Sequence, residues 1–351
     1  MTVKVEIVLT SGTDGCFQPG QEVVGEVIVV LTKTIKVSRL KLTLSGIGRT
    51  EWSEPISGRG RFLNLEQFLF QVNDEASSVN YTGKERYLHS ELILCQVNDF
   101  MPAGGYTYGF ACPLPESIPS SYNSTNGHIR YSLTATLERP WKSSKVHSIS
   151  LGIIRQLDLN SEILLPIKAE HTKSLGCWPC LPSGSLVLSV QIPTNGFVPG
   201  QVIAVQIQVN SKRHVTIRKV TTVLIQQTTF SARWPKARQR IESVVVSKNV
   251  SPGIKLPDGG VLAEDNLQVP WVQPTSRCSK DNLQVPWVQP TSRCSKVIKI
   301  CYELKVALEI DSYLMLDRHA VLAVPILIGT IPERDSELSD GESVHVWMRD
   351  D

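Results

Sequence analysis

"NGFVPGQVIAVQIQV", Asn195–Val209, repeats a stretch written earlier in the same chain. "GCFQPGQEVVGEVIV", Gly15–Val29, matches it without gaps at a shift of 180 residues. Phe17, Pro19, Gly20 and Gln21 line up with Phe197, Pro199, Gly200 and Gln201. In the run that follows, Val23, Gly25, Val27 and Val29 fall on one parity, as do Ile203, Val205, Ile207 and Val209. Side chains alternate across a strand, so a shared parity predicts a shared buried face. Proline presets its own φ and glycine takes positive φ freely, so each Pro-Gly pair predicts a tight turn ahead of its strand.

The next run carries a slip. Ile35 and Val37 are odd-numbered, whereas Leu40, Leu42 and Leu44 are even. The second copy slips at the same place, Val215 and Ile217 giving way to Val220 and Leu224. A β-bulge or a change of sheet produces such a break in alternation. A second pairing, at a shift of 171, joins Ile129-x-Tyr131-x-Leu133-x-Ala135 to Ile300-x-Tyr302-x-Leu304-x-Val306. Each half thus opens on a Pro-Gly turn and ends about 110 residues later, room for a sandwich of roughly seven strands. The expectation is an all-β chain of two tandem immunoglobulin-like β-sandwiches.

Composition agrees. Of 351 residues, 41% are hydrophobic and 20% charged, with 21 Pro and 23 Gly punctuating Val-, Ile- and Thr-rich runs. Long segments at helical spacing are missing, which favours many short strands. No apolar run approaches the roughly 20 residues a membrane helix needs, and no basic-then-apolar leader opens the chain. The expected localisation is cytoplasmic, with the eight cysteines reduced. Charge is uneven: residues 1–175 balance, 176–332 carry a net +8, and 333–351 a net −5. A basic second half before an acidic tail suits an anionic partner, a tail folded back, or simply solvated surface.

Ordered motifs extend the reading. "GIGRTEW" (Gly46–Trp52), "MPAGGYTYGFACPLPESIPSSY" (Met101–Tyr122) and "GHIRYSLTATLERPWK" with Arg139, Pro140 and Trp141 come first. "LDLN" (Leu157–Asn160), "CWPCLPSGSLVLSV" and "VPILIGTIP" (Val324–Pro332) follow. In this order they resemble the arrestin family, specifically its alpha-arrestin, arrestin domain-containing branch, over nearly the whole chain. The resemblance implies the arrestin fold: an N-terminal sandwich at 1–168, a connector at 169–182, a C-terminal sandwich at 183–332 and an acidic tail at 333–351. It also implies a non-catalytic cytosolic adaptor recruited to plasma membrane or endosomes. Such adaptors link receptors and transporters to ubiquitination, endocytosis and endosomal transport. Relatives recruit WW-domain ubiquitin ligases through Pro-Pro-x-Tyr motifs in a C-terminal tail, whose polyproline conformation suits an aromatic groove. This chain contains no Pro-Pro-x-Tyr. Two alternatives stand beside the adaptor: a redox-linked regulator resembling the thioredoxin-interacting member, and a retromer-like coat subunit.

Candidate sites are few. "RWPKARQR" sets Arg233, Lys236, Arg238 and Arg240 around Trp234 with no acid before Glu242. Placed in a hairpin loop, these charges would attract an anionic membrane or a phosphorylated cargo tail. The plain alternative is a solvated loop. Cys177-Trp178-Pro179-Cys180 has the spacing of a redox or zinc pair. Pro182 and a strand follow it, not the helix N-terminus that lowers a thiol pKa, and only His171 lies near as a further ligand. Structural packing is the expected role, with no metal and no cofactor. No H-E-x-x-H, G-x-S-x-G or phosphate-binding Gly-Lys-Ser/Thr loop occurs, so no catalytic residue is assigned. The scattered basic residues lack the aromatic-rich sheet of an RNA-binding module, and no nucleic-acid partner is expected.

A second duplication is literal. "DNLQVPWVQPTSRCSK" stands at Asp265–Lys280 and again at Asp281–Lys296. One slot cannot hold both. The expectation is that Asp281–Lys296, continuous with Val297–Val306, packs natively while Asp265–Lys280, with Trp271, is extruded or poorly ordered.

Overall fold

The two Pro-Gly turns are built alike atom by atom. Gly20 and Gly200 adopt φ +85° and +92°, a region glycine enters without steric cost. Gln21 and Gln201 fold their side-chain oxygens back onto the N–H groups of Gln18 and Val198, at 2.8 and 2.9 Å. The computed structural model describes residues 3–12, 15–55, 78–175, 184–211, 215–255, 261–270, 289–311 and 318–334.

The first sandwich uses β1 (Val3–Leu9), β2 (Cys16–Phe17), β3 (Glu22–Leu31), β4 (Ile35–Pro55), β5 (Ser78–Met101), β6 (Gly104–Pro113), β7 (Tyr122–Ser124), β8 (Gly127–Arg139) and β9 (Lys142–Ile153). The sheet β1-β3-β6 faces the sheet β2-β9-β8-β4-β5, with β7 added on β8. A 3-10 turn, Leu159–Ser161, lies between β9 and β10. The second sandwich uses β10 (Ile167–Ser174), β11 (Ser185–Ile192), β12 (Gly196–Phe197), β13 (Val202–Ser211), β14 (Thr216–Ala232), β15 (Arg238–Lys255), β16 (Val261–Gln268), β17 (Ile298–Asp311) and β18 (His319–Ile328). Its sheets run β10-β11-β13-β16 and β12-β18-β17-β14-β15.

Pairing confirms the duplication. Val23, Gly25, Val27 and Val29 are buried, and so are Ile203, Val205, Ile207 and Val209. Each such aliphatic side chain contributes roughly 1.5–3 kcal/mol on leaving water. The parity slip is a bulge in both copies: registers shift between Val37 and Arg39 and between Ile217 and Lys219. Tyr131 donates its phenol to Pro119 O at 2.7 Å, and Tyr302 does the same to Gln289 O. Burial raises both phenol pKa values.

Two expectations are corrected. The literal repeat is not used copy by copy. Residues 265–268 of the first copy complete β16, and Val269 N–H donates to Gln201 O at 2.9 Å. From the second copy, Gln289 O receives Tyr302, and Thr291 exchanges backbone and hydroxyl hydrogen bonds with Ile328. Chain continuity decides this: Asp265 extends a strand already begun at Val261, and Thr291 to Ser295 lead straight into β17. Trp271 and the rest of 271–288 lie outside the described residues. The second correction concerns residues 167–174, split in sequence between first sandwich and connector. They form β10, an eight-residue edge strand of the second sandwich.

Candidate functional site

The predicted cationic segment is the hairpin joining β14 to β15, and its backbone is already engaged. Arg233 N–H and Trp234 N–H both donate to Thr82 O, and Thr82 N–H returns a bond to Trp234 O at 2.8 Å. A strand of the first sandwich and a turn of the second thus meet as a short antiparallel bridge. Thr50 Oγ1 donates to Ser231 O at 2.8 Å beside it. Gly83 permits the approach, because a Cβ there would meet Ser231 O and sit 2.5 Å from Thr50 Oγ1.

The four cations separate into two pairs. Arg238 Nη2 lies 3.1 Å from Glu54 Oε2 across the junction. Arg240 Nε lies 3.8 Å from Glu242, whose carboxylate also accepts from Asn126 of the first sandwich. Glu54 is held below the usual carboxylate range, first by the Trp52 indole N–H and then by Arg238. Arg233 and Lys236 stand exposed at the tip beside Trp234. The hairpin therefore brings the predicted residues together, half of them tied to carboxylates at the domain junction.

Sequence reasoning missed the rest of that junction. Tyr87 and Ser295 hydroxyls lie 2.6 Å apart, and Lys296 N–H donates to Glu85 at 2.7 Å. Phe230, Ala232, Val297 and Ile298 of the second half belong to the first sandwich's core. A Cβ on Gly48 would sit 2.5 Å from Tyr87 Oη and 2.9 Å from Val297 Cγ2. The glycines of "GIGRTEW" were the available signal. A cleft of about 130 Å³ opens between the segment 155–162 and the second sandwich, lined by Arg155, Glu162, Thr291 and Arg293 among others. It is smaller than the roughly 300–1,000 Å³ of a small-molecule pocket.

A second feature is a difference between the sandwiches. By register, Val5 and Ile7 of β1 correspond to Leu188 and Val190 of β11. Against β11 lies β10, pairing His171 with Leu188 and Ala169 with Val190. Among the described residues β1 pairs only with β3, and its outer edge meets one side chain, His147, whose Nδ1 accepts from Ile7 N–H at 3.1 Å. Among the described residues, the eight-residue strand β10 of the second copy has no counterpart in the first.

Cys177 and Cys180 lie outside the described residues, as does the acidic tail from residue 335 onward. Among the described residues no three His, Cys, Asp or Glu side chains group as metal ligands, and no helix is long and apolar enough to cross a membrane. Residues 5–160 match the family described as "Arrestin (or S-antigen), N-terminal domain", and residues 182–333 match "Arrestin (or S-antigen), C-terminal domain". The chain is similar to Arrestin domain-containing protein 17 of Caenorhabditis elegans, 27% identical over 334 residues, covering 93% of this chain and 70% of that protein. It is 23% identical over 320 residues to Arrestin domain-containing protein 4 of Homo sapiens, covering 91% and 69%. Arrestin domain-containing protein 5 of Bos taurus is 24% identical over 243 residues, covering 68% and 69%.

Proposed function

The chain belongs to the arrestin family, in its alpha-arrestin branch, and on that premise we propose that it is a non-catalytic cytosolic adaptor. It links membrane cargo, receptors or transporters, to ubiquitination, endocytosis and endosomal transport. The observation that carries this reading is the outer edge of β1. An extended cytoplasmic segment of cargo adds there as a strand, as β10 does on β11, with backbone hydrogen bonds giving affinity. Arg233 and Lys236 supply the anionic contact, to a phosphorylated segment or an acidic membrane face; Arg238 holds the hairpin against the first sandwich through Glu54, and Arg240 pairs with Glu242 within it.

Val5→Pro tests the edge, because proline removes a backbone donor and is tolerated on an edge strand. Proximity labelling in intact cells is compared between wild type and this variant, after thermal melting has shown the sheet intact. The expected outcome is that membrane proteins and trafficking machinery label with wild type and fall away with the variant. An identical labelled set, or one without membrane proteins, would contradict the reading.

A further inference from the structure

Trp141 is the most exposed large side chain described, at 101% of its reference surface, and its backbone adopts φ +60°. It follows Pro140 in the two-residue loop between β8 and β9, where Arg139 pairs with Lys142. Proline followed by positive φ is the type II turn pattern, whose second central position favours glycine. Folding therefore gains nothing from tryptophan here: the backbone is strained and the indole is wholly in water. Strain of this kind persists where a functional contact selects the residue.

The surroundings indicate the contact. β4 and β8 run from the domain junction, at Thr50 and Gly127, to the far end of the first sandwich, at Arg39 and Glu138. Trp141 caps that far end, opposite to the second sandwich. Continuing the β4–β8 register carries Trp141 level with Lys36, which is paired with Phe100, itself 63% exposed. Val146, 59% exposed, lies on the same hairpin. Lys33, Lys36, Lys142 and Lys145 are exposed at this end and Arg139 is half-buried, without ion pairs to described residues. Opposing them is Asp99, the partner of Val37, while Glu138 is engaged by Arg39 and Lys41.

We propose that this end of the first sandwich is a membrane anchor: Trp141, with Phe100 beside it, enters the headgroup region of an anionic bilayer while the flanking lysines meet lipid phosphates. A convex tip bearing isolated aromatics and a basic collar matches the bilayer interface, where tryptophan is enriched and each nearby lysine strengthens binding about fivefold. A stable protein partner would call for about 800 Å² of complementary surface on each side, more than isolated aromatics at a tip provide. The proposal deepens the adaptor reading by fixing how the molecule meets the membrane. The assay below contains no cargo, so its failure leaves cargo capture standing.

Sedimentation of the full chain is measured with vesicles of phosphatidylcholine alone or with phosphatidylserine, and tryptophan quenching with brominated lipids. Wild type is expected to bind the anionic vesicles and to be quenched. Trp141→Gly, which relaxes the turn and so keeps or raises the melting temperature, is expected to bind about tenfold more weakly and to lose the quenching. Lys142→Ser with Lys145→Ser is expected to weaken binding by a further factor of about 25. Undiminished binding by Trp141→Gly overturns the proposal, as does binding without quenching, which would assign the tip to a protein partner. Binding lost only when Arg233, Lys236, Arg238 and Arg240 become Ser moves the contact to the second sandwich and overturns it too.

Discussion

Asp265 stands where the first sandwich has Phe110: Gly25 pairs with Phe110, and Val205 with Asp265. The neighbouring pair Leu42–Leu92 is likewise replaced by Thr222–Asn249. Asn249 Nδ2 donates to Asp265 Oδ1, but Asp265 Oδ2 and Thr222 Oγ1 find no partner among the described residues. Removing an orphaned hydroxyl at constant shape relieves a desolvation cost, whereas removing the donor strands a buried carboxylate. Thr222→Val is therefore expected to be neutral or stabilising by up to about 1 kcal/mol, and Asn249→Ala to cost about 1–3 kcal/mol. Urea midpoints moving in the same direction for both variants would contradict this. His128 supplies the pH dependence. Burial first, then Arg130 and Arg49, lower its pKa below 6.5, so the folded chain holds it neutral while the unfolded chain protonates first. Its stabilisation is present above about pH 6.5 and is lost as pH falls. Glu138, Glu54 and Asp158, also lowered, add a second decline below about pH 4.3. Stability curves should show His128→Gln flattening the pH 7 to 5 segment and leaving the acid limb; an unchanged upper segment would remove His128 from the account.

At the scale of elements, legibility follows from what a strand must bury. The parity of β3 and β13 was readable because one face of each is core, and the bulge because it shifts that parity in both copies. β10 was not readable: its residues are half-buried or exposed throughout, so no apolar alternation announces it. The cationic hairpin was visible as a charge run, but its partners Thr82 and Glu54 lie far back in the chain, Glu54 at 184 residues from Arg238, and leave no local trace. Division of the literal repeat was invisible because the copies are identical and only chain continuity selects between them. Seven positions separate Leu114 from Ser121 in the first sandwich, against twenty-two between the equivalent anchors Val269 and Thr291. The excess of 15 positions is one short of the 16-residue repeat unit. Excising Asp281–Lys296 yields the same polypeptide as excising Asp265–Lys280, and the shortened loop should stabilise the fold by about 1 kcal/mol. Circular dichroism and melting of that chain should show the same strand content and an equal or higher melting temperature; failure to fold would place the extra unit in the core.

The whole molecule is one sandwich made twice and then made unequal. The turns, bulges and tyrosine anchors recur in both, while among the described residues the second copy carries β10 and a polar wedge in its core, and the first carries an apolar core and a β1 whose outer edge pairs with no strand. The junction joins the two through Thr82–Trp234, Glu85–Lys296 and a shared apolar cluster. On this account the first sandwich receives the cargo strand at β1 and the second holds it in place. Amide hydrogen exchange of the full chain tests this most directly. The amides of Val3 and Val5 should exchange far faster than their counterparts Leu186 and Leu188, and should gain protection when a cytoplasmic cargo peptide is added. Equal protection of β1 and β11 before any peptide is present, or no change in β1 at saturating peptide, would contradict it.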